Sequence, residues 1–139
     1  MPPMPVGALA GLGAILADES LTQGAYELFE ARTPKGGGPP THVHREREEG
    51  FYVVSGLFRI VRADEDVEAG PGQFVMVPRG TPHRFEALTD DARLLFIVSP
   101  PGLEGFFRDG AELRASGRPD TEVRQELAKR YDSHPGAAP

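Results

Sequence analysis

The sequence predicts an all-β domain, an antiparallel sandwich or small barrel, and three observations carry that reading. Eight short apolar runs, at residues 12–16, 25–31, 41–44, 50–54, 57–61, 73–77, 84–88 and 93–98, have strand lengths, and several are rich in Val, Ile, Phe and Tyr. Turn-forming residues separate many of them, at 35–40, 55–56, 70–72, 78–82 and 89–91. Gly 17 and Pro 14 make up about a fifth of the chain, nearly twice the roughly 12% of average usage, which argues against a helical bundle. Many short strands at close spacing indicate a sandwich or barrel.

A length of 139 residues holds one domain. Within it, residues 1–11 read as an N-terminal arm, 12–102 as the barrel, 103–133 as a helical segment and 134–139 as a loose tail. The change comes after Pro100-Pro101-Gly102. Leu103, Phe106, Phe107 and Leu113 mark the apolar face of one short helix. Val123, Leu127 and Tyr131 recur at four-residue steps in a second, which Asp120 is placed to cap. These stripes are expected to pack against the barrel or a partner subunit.

Composition excludes several classes. With no cysteine, a disulfide framework, thiolate metal sites and cysteine nucleophiles are ruled out. A net charge of −6 provides no broad positive field, so neither nucleic acid nor an anionic membrane surface is expected as a partner. Residues 4–17 are almost wholly apolar, but the first basic residue is Arg32, so the positive region of a signal peptide is missing. Gly7, Gly11 and Gly13 interrupt that stretch, which is too short to span a bilayer. The expected location is cytoplasmic.

The chemistry concentrates in three of the four histidines. His42 and His44 flank Val43, and residues two apart on a strand project from one face. Two such imidazoles can grip one divalent ion. Glu49 follows the charged turn Arg45-Glu46-Arg47-Glu48 and can return on the neighbouring strand. His83 stands just behind Pro78-Arg79-Gly80-Thr81-Pro82. Three neutral imidazoles and a carboxylate form a set suited to Fe, Mn, Ni, Cu, Co or Zn, with positions left open. Gly56 and Gly80 sit where strands must reverse tightly, and Pro78 and Pro82 stiffen the turn that presents His83.

The spacing is more specific than the residue types. Reading on from Gly36 there are five residues, His42, one residue, His44, four residues, Glu49, six residues and Gly56. Reading on from Gly72 there are five residues, Pro78, one residue, Gly80, two residues and His83. These two strings resemble the first and second motifs of the cupin superfamily, over roughly residues 36–85. The resemblance is to small bacterial single-domain, quercetin-dioxygenase-like members. It implies a double-stranded β-helix, or jelly-roll barrel, with the short helices C-terminal to it. It also implies His42, His44, Glu49 and His83 as ligands of one divalent transition metal ion. Glu48 competes for the acidic position, but the six residues to Gly56 favour Glu49. The motif often ends in Asn four residues after its histidine, where this chain has Ala87; that Asn is not a ligand.

Strand alternation nominates a pocket. Phe51 and Val53 share the parity of Glu49, and Phe85 shares that of His83, while Phe74 and Met76 pair on the preceding strand. Together they would line a mostly apolar cavity around a polar centre. Glu49 is the acid/base candidate if it swings off the ion; nothing selects Tyr26 or Tyr52. Three functions follow from the resemblance: a dioxygenase-like enzyme whose metal binds a substrate oxygen, a non-redox isomerase, cyclase or lyase of a secondary-metabolite pathway, or a non-catalytic small-molecule-binding module. Small cupins also imply a homodimer, which would cover sheet edges.

Overall fold

The computed structural model describes residues 7–9 and 13–136. Eleven strands and three helices follow in order: β1 (Gly7–Leu9), β2 (Gly13–Ala17), α1 (Glu19–Thr22), β3 (Glu27–Thr33), β4 (His42–Val43), β5 (Glu48–Ser55), β6 (Phe58–Arg62), β7 (Glu65–Ala69), β8 (Phe74–Val77), β9 (His83–Ala87), β10 (Ala92–Ser99), α2 (Glu104–Ala115), α3 (Asp120–Arg130) and β11 (His134–Pro135). They form two antiparallel sheets, one ordered β1-β2-β3-β10-β5-β8 and the other β11-β4-β9-β6-β7. This is the antiparallel two-sheet architecture that the turn-rich sequence predicts, and it has the jelly-roll form that the motif resemblance implies. Among the described residues no helix is long and apolar enough to cross a membrane.

Alternation explains how the sheets close on each other. In β10, Ala92, Leu94, Phe96 and Val98 point inward and the residues between them outward, and in β3 Phe29 and Ala31 meet them. Phe51, Val53, Val75 and Val77 complete that sheet's inner face, and Phe58, Ile60, Phe85 and Ala87 face them from the other sheet. Gly56 and Gly80 adopt positive φ, 74° and 75°, at the expected reversals. At Gly56 the approach is also close, since a Cβ would meet Thr89 Oγ1 at 2.6 Å.

The helical segment is tied down by a buried acid. Glu27, 1% exposed, accepts the backbone N–H groups of Gly102, Leu103 and Glu104 through its two carboxylate oxygens. They are the N–H groups leading into α2: those of Gly102, the N-cap Leu103, whose side chain makes no cap hydrogen bond, and the first helical residue Glu104. Leu103 is buried in the barrel core, and Phe107 packs against it. Val123 and Leu127 are the buried residues of α3, as their spacing predicts.

Four expectations are corrected. Asp120 does not cap α3: Pro119 occupies the cap position, and the Asp120 carboxylate accepts from Arg114 Nε and Arg124 Nε at 3.0 and 2.7 Å. His134 and Pro135 are not a loose tail, because they pair with Val43 and His42 of β4. Part of the N-terminal arm is a strand, Gly7–Leu9, pairing with β2; the remainder of 1–11 lies outside the described residues. The eight expected runs also omit β7, which pairs with β6.

Candidate metal centre

Both sheets contribute to the centre. His42 stands on β4 opposite His83 of β9, its register partner, and His44 follows two residues on. Glu49 comes across from β5 of the facing sheet. The ring centroids of His42 and His83 lie 4.3 Å apart, those of His42 and His44 4.9 Å, and those of His44 and His83 5.1 Å. One ligand atom from each of the four residues lies within 4.8 Å of all the others. Glu49, and not Glu48, faces the imidazoles. The turn before His83 is fixed to the same region, since Gly80 donates its N–H to the His44 carbonyl at 2.7 Å.

Backbone carbonyls set the tautomer of every ring. His42 Nδ1 lies 2.9 Å from the Pro40 carbonyl, His44 Nδ1 2.7 Å from that of Asp132, and His83 Nδ1 2.8 Å from that of Thr81. A carbonyl only accepts, so each Nδ1 carries a proton and donates it. Each Nε2 is thereby left to face the centre, the arrangement that outer hydrogen bonds impose on ligating histidines. His44 Nε2 is buried with no hydrogen-bond partner. A buried lone pair without a donor is costly, and coordination to a cation satisfies it. His83 Nε2 and His44 Nε2 lie 3.1 and 3.8 Å from Glu49 Oε1. Adjacent ligands at about 2.1 Å from one ion stand roughly 3 Å apart, so the donor set fits a divalent transition metal with small adjustments.

Protonation follows from burial and contact. Burial, with the neighbouring His83, pushes the His42 pKa down to about 3, so its ring is neutral at physiological pH. Burial raises the Glu49 pKa, but the hydrogen bond from His83 and the surrounding imidazoles outweigh it, leaving the carboxyl below its usual range. His83 is the reverse case: burial lowers its pKa, and the bond to Glu49 carries it above the ordinary imidazole value. Glu49 and His83 thus share a proton that a divalent ion bound to both would displace.

Asp132 holds the loop between the ligands. Besides its carbonyl on His44, its Oδ1 accepts from Arg45 N at 2.8 Å and its Oδ2 from Glu46 N at 2.7 Å, with Arg47 Nη1 at 3.1 Å. Nothing local in the sequence points to this residue, which lies 88 positions from the histidine it holds.

A cavity of about 480 Å3 opens beside the centre, lined by His42, His44 and Glu49. Of the five nominated pocket residues only Phe85 lines it. Phe51 and Val53 face inward as their parity predicts, but they are core: the Phe51 ring packs behind the site, 5.6 Å from Phe85 and 6.2 Å from His83. Phe74 and Met76 are corrected outright. The pleat turns Val75 and Val77 inward, leaving Phe74 56% exposed on the outer face and Met76 opposite Gly50. Tyr26 and Tyr52 are exposed and do not line the cavity. Its apolar wall includes Phe96 of β10 with Leu103, Phe106 and Phe107 of the helical segment. The inward parity of β10 could have flagged Phe96; the placement of α2 has no local signal.

Comparisons with known proteins agree with this architecture. The family model for the cupin domain matches residues 29–98. Over 97 residues the chain is 27% identical to quercetin 2,3-dioxygenase of Bacillus subtilis; the match covers 70% of this chain and 29% of that enzyme, so the chain spans less than a third of its length. An uncharacterized protein of Streptomyces coelicolor is 31% identical over 86 residues, 62% of this chain and 76% of that one. The structure of KdgF from Halomonas sp. superposes with a TM-score of 0.59 at 23% identity, covering 72% of this chain and 86% of that one. A predicted oxalate decarboxylase from Thermotoga maritima gives 0.54 at 19% identity, over 70% and 91% of the two chains. With the family model spanning half the chain and both motifs in place on a jelly roll, this protein belongs to the cupin family.

Proposed function

We propose that this chain is a metal-dependent enzyme acting on a small organic molecule, with His42, His44, Glu49 and His83 holding one divalent ion that binds an oxygen of the substrate. The observation that carries this is the set of three histidines turned by carbonyls so that every Nε2 faces one carboxylate, beside a cavity of about 480 Å3. Such an ion supplies Lewis acidity toward an enolate, hydroxyl or carboxylate oxygen and, if redox-active, a route to O2 chemistry. The protein's residues do the rest. The phenylalanine walls exclude water and orient the apolar part of the substrate. Glu49 is the carboxylate lining the cavity, and it is the acid/base candidate if it swings off the ion.

The dioxygenase-like form of the reading draws support from the similarity to quercetin 2,3-dioxygenase. A non-redox isomerase, cyclase or lyase acting on a polyketide-type metabolite is favoured instead by the enclosing aromatic wall, which suits folding of a flexible substrate. We read the protein as cytoplasmic and homodimeric; Tyr52 and Phe74, exposed neighbours across β5 and β8, offer an apolar outer face to a second copy. The test is to follow substrate and dissolved oxygen together, with phenols such as quercetin and a panel of organic acids. Loss of both, absent in H42A/H83A, is expected. Substrate loss without oxygen uptake transfers the function to the non-redox reading, and turnover by H42A/H83A at the wild-type rate overturns both.

A further inference from the structure

The cavity carries cationic groups that the metal centre does not use. Arg114 of α2 and Arg124 of α3 line it, as does Arg32 of β3, whose Nε donates to Glu30 at 2.8 Å, while its single lining carboxylate among the described residues is Glu49. Asp120 holds the two arginines together, accepting Arg114 Nε at 3.0 Å and Arg124 Nε at 2.7 Å on separate oxygens. One carboxylate between two guanidiniums leaves a net positive charge. Among the described residues neither pair of terminal Nη groups has a hydrogen-bond partner. Both side chains are partly exposed, at 43% and 31%, so a ligand arriving from solvent can reach them. Arg124 also lines, with His42 and Phe106, a side pocket of about 240 Å3, so it stands near the metal-binding side chains.

The cavity's other surface is aromatic. Phe85, Phe96, Phe106 and Phe107 line it, with Phe106 and Phe107 edge-to-face at 5.2 Å and Phe96 backed by a stacked Phe29 at 4.7 Å. Flat apolar walls favour a ring-bearing body, and the volume suits a ligand of ordinary drug-like size. Guanidinium groups match a carboxylate through two parallel hydrogen bonds. We propose that Arg114 and Arg124 are the specificity-determining edge of this cavity, and that its ligand is an amphipathic organic carboxylate with an aryl body. The inference rests on the cavity being the substrate site, and it is independent of which ion the histidines hold. The chain's net charge of −6 repels anions at long range, so any preference for one must arise locally.

The experiment is calorimetric titration of full-length protein with 4-phenylbutyrate and with its uncharged amide, before and after chelation of metal. Chelation matters because the carboxylate would otherwise have a second place to bind. In stripped wild-type protein the carboxylate is expected to bind about tenfold more tightly than the amide, the scale of a charge-assisted contact. R114Q/R124Q should lose that preference and keep its affinity for the amide, which shows the cavity intact. Rising salt should weaken the carboxylate alone. Equal binding of the two probes by the wild type, no binding of either, or a preference that survives in R114Q/R124Q overturns the proposal. Metal analysis of the same samples keeps the readings apart: a carboxylate preference in protein that never takes up metal refutes only the metal centre, and full metal loading without the preference refutes only the arginine edge.

Discussion

The backbone carbonyl of Asp132 accepts the Nδ1 proton of His44 at 2.7 Å, joining residues 88 apart in sequence. Through this bond the segment after α3 decides which nitrogen of a barrel histidine faces the cavity. The same residue's carboxylate takes the two free N–H groups of the turn between His44 and Glu49. The helical segment is therefore part of the centre's outer support as well as a wall of the cavity.

Replacing Asp132 by Ala should loosen that turn while leaving the carbonyl on His44. Unpairing two backbone N–H groups is expected to lower stability by about 1–3 kcal/mol. Metal affinity should fall by about 10–100-fold, the usual scale for an outer partner. Chemical denaturation and metal titration of D132A measure the two effects, and unchanged values for both would remove Asp132 from the account.

The same carboxylate predicts an acid limit. Burial raises its pKa, but the N–H groups of Glu46 and Arg45 and the Arg47 guanidinium outweigh this and hold it below its ordinary 3.8. A lowered folded-state pKa means the stabilisation is complete above 3.8 and disappears as pH falls through the lower folded value. The stability gap between wild type and D132N should be flat from pH 5 to 8 and close below about 3.8. A gap that widens in acid would contradict this.

Metal retention should depend on pH in a different window. His42 stays neutral down to about 3, so it is not the ring that fails first. His83, raised by its bond to Glu49, keeps its proton above the ordinary imidazole value and must release it to coordinate. Below that raised pKa, displacing one proton costs about tenfold in affinity per pH unit. Competition with a chromophoric chelator between pH 5 and 8 reads the slope, and an affinity independent of pH would refute the shared proton.

Glu27 supplies the test of the helical segment. Glu27→Ala leaves three N–H groups unpaired, those of Gly102 and Leu103 in the junction to the barrel and that of Glu104 at the start of α2. Limited proteolysis between residues 103 and 133 should speed up markedly while the barrel fragment persists. Cleavage at the wild-type rate would show that the segment is held by Leu103 and Phe107 alone.

Much of this was legible in local sequence. The eight apolar runs correspond to β2–β6 and β8–β10 because each except β4, which carries His42, supplies inner-face residues of a two-layer core. Strand β7 was invisible because Glu65-Asp66-Val67-Glu68-Ala69 is an edge strand whose charged side chains face solvent. Strand β11 hid behind a proline, which an edge position tolerates. The four convergent residues could be picked out because their spacing repeats a known pattern. The cavity around them could not. Phe74 shares a strand face with Met76 and so reads as a pocket residue, yet it lies outside, packed over Gly50. Phe106, Phe107, Arg114, Arg124 and Asp132 reach the site by the docking of helices, which no local periodicity encodes.

The most direct measurement is element analysis of the full-length protein purified from metal-replete culture beside H42A/H83A. About one divalent transition metal ion per chain in the wild type, with less than a tenth of that in the variant, is the predicted result. A wild type that stays metal-free when ions are plentiful, or a folded variant that keeps its full complement, would contradict the claim that these four side chains share an ion.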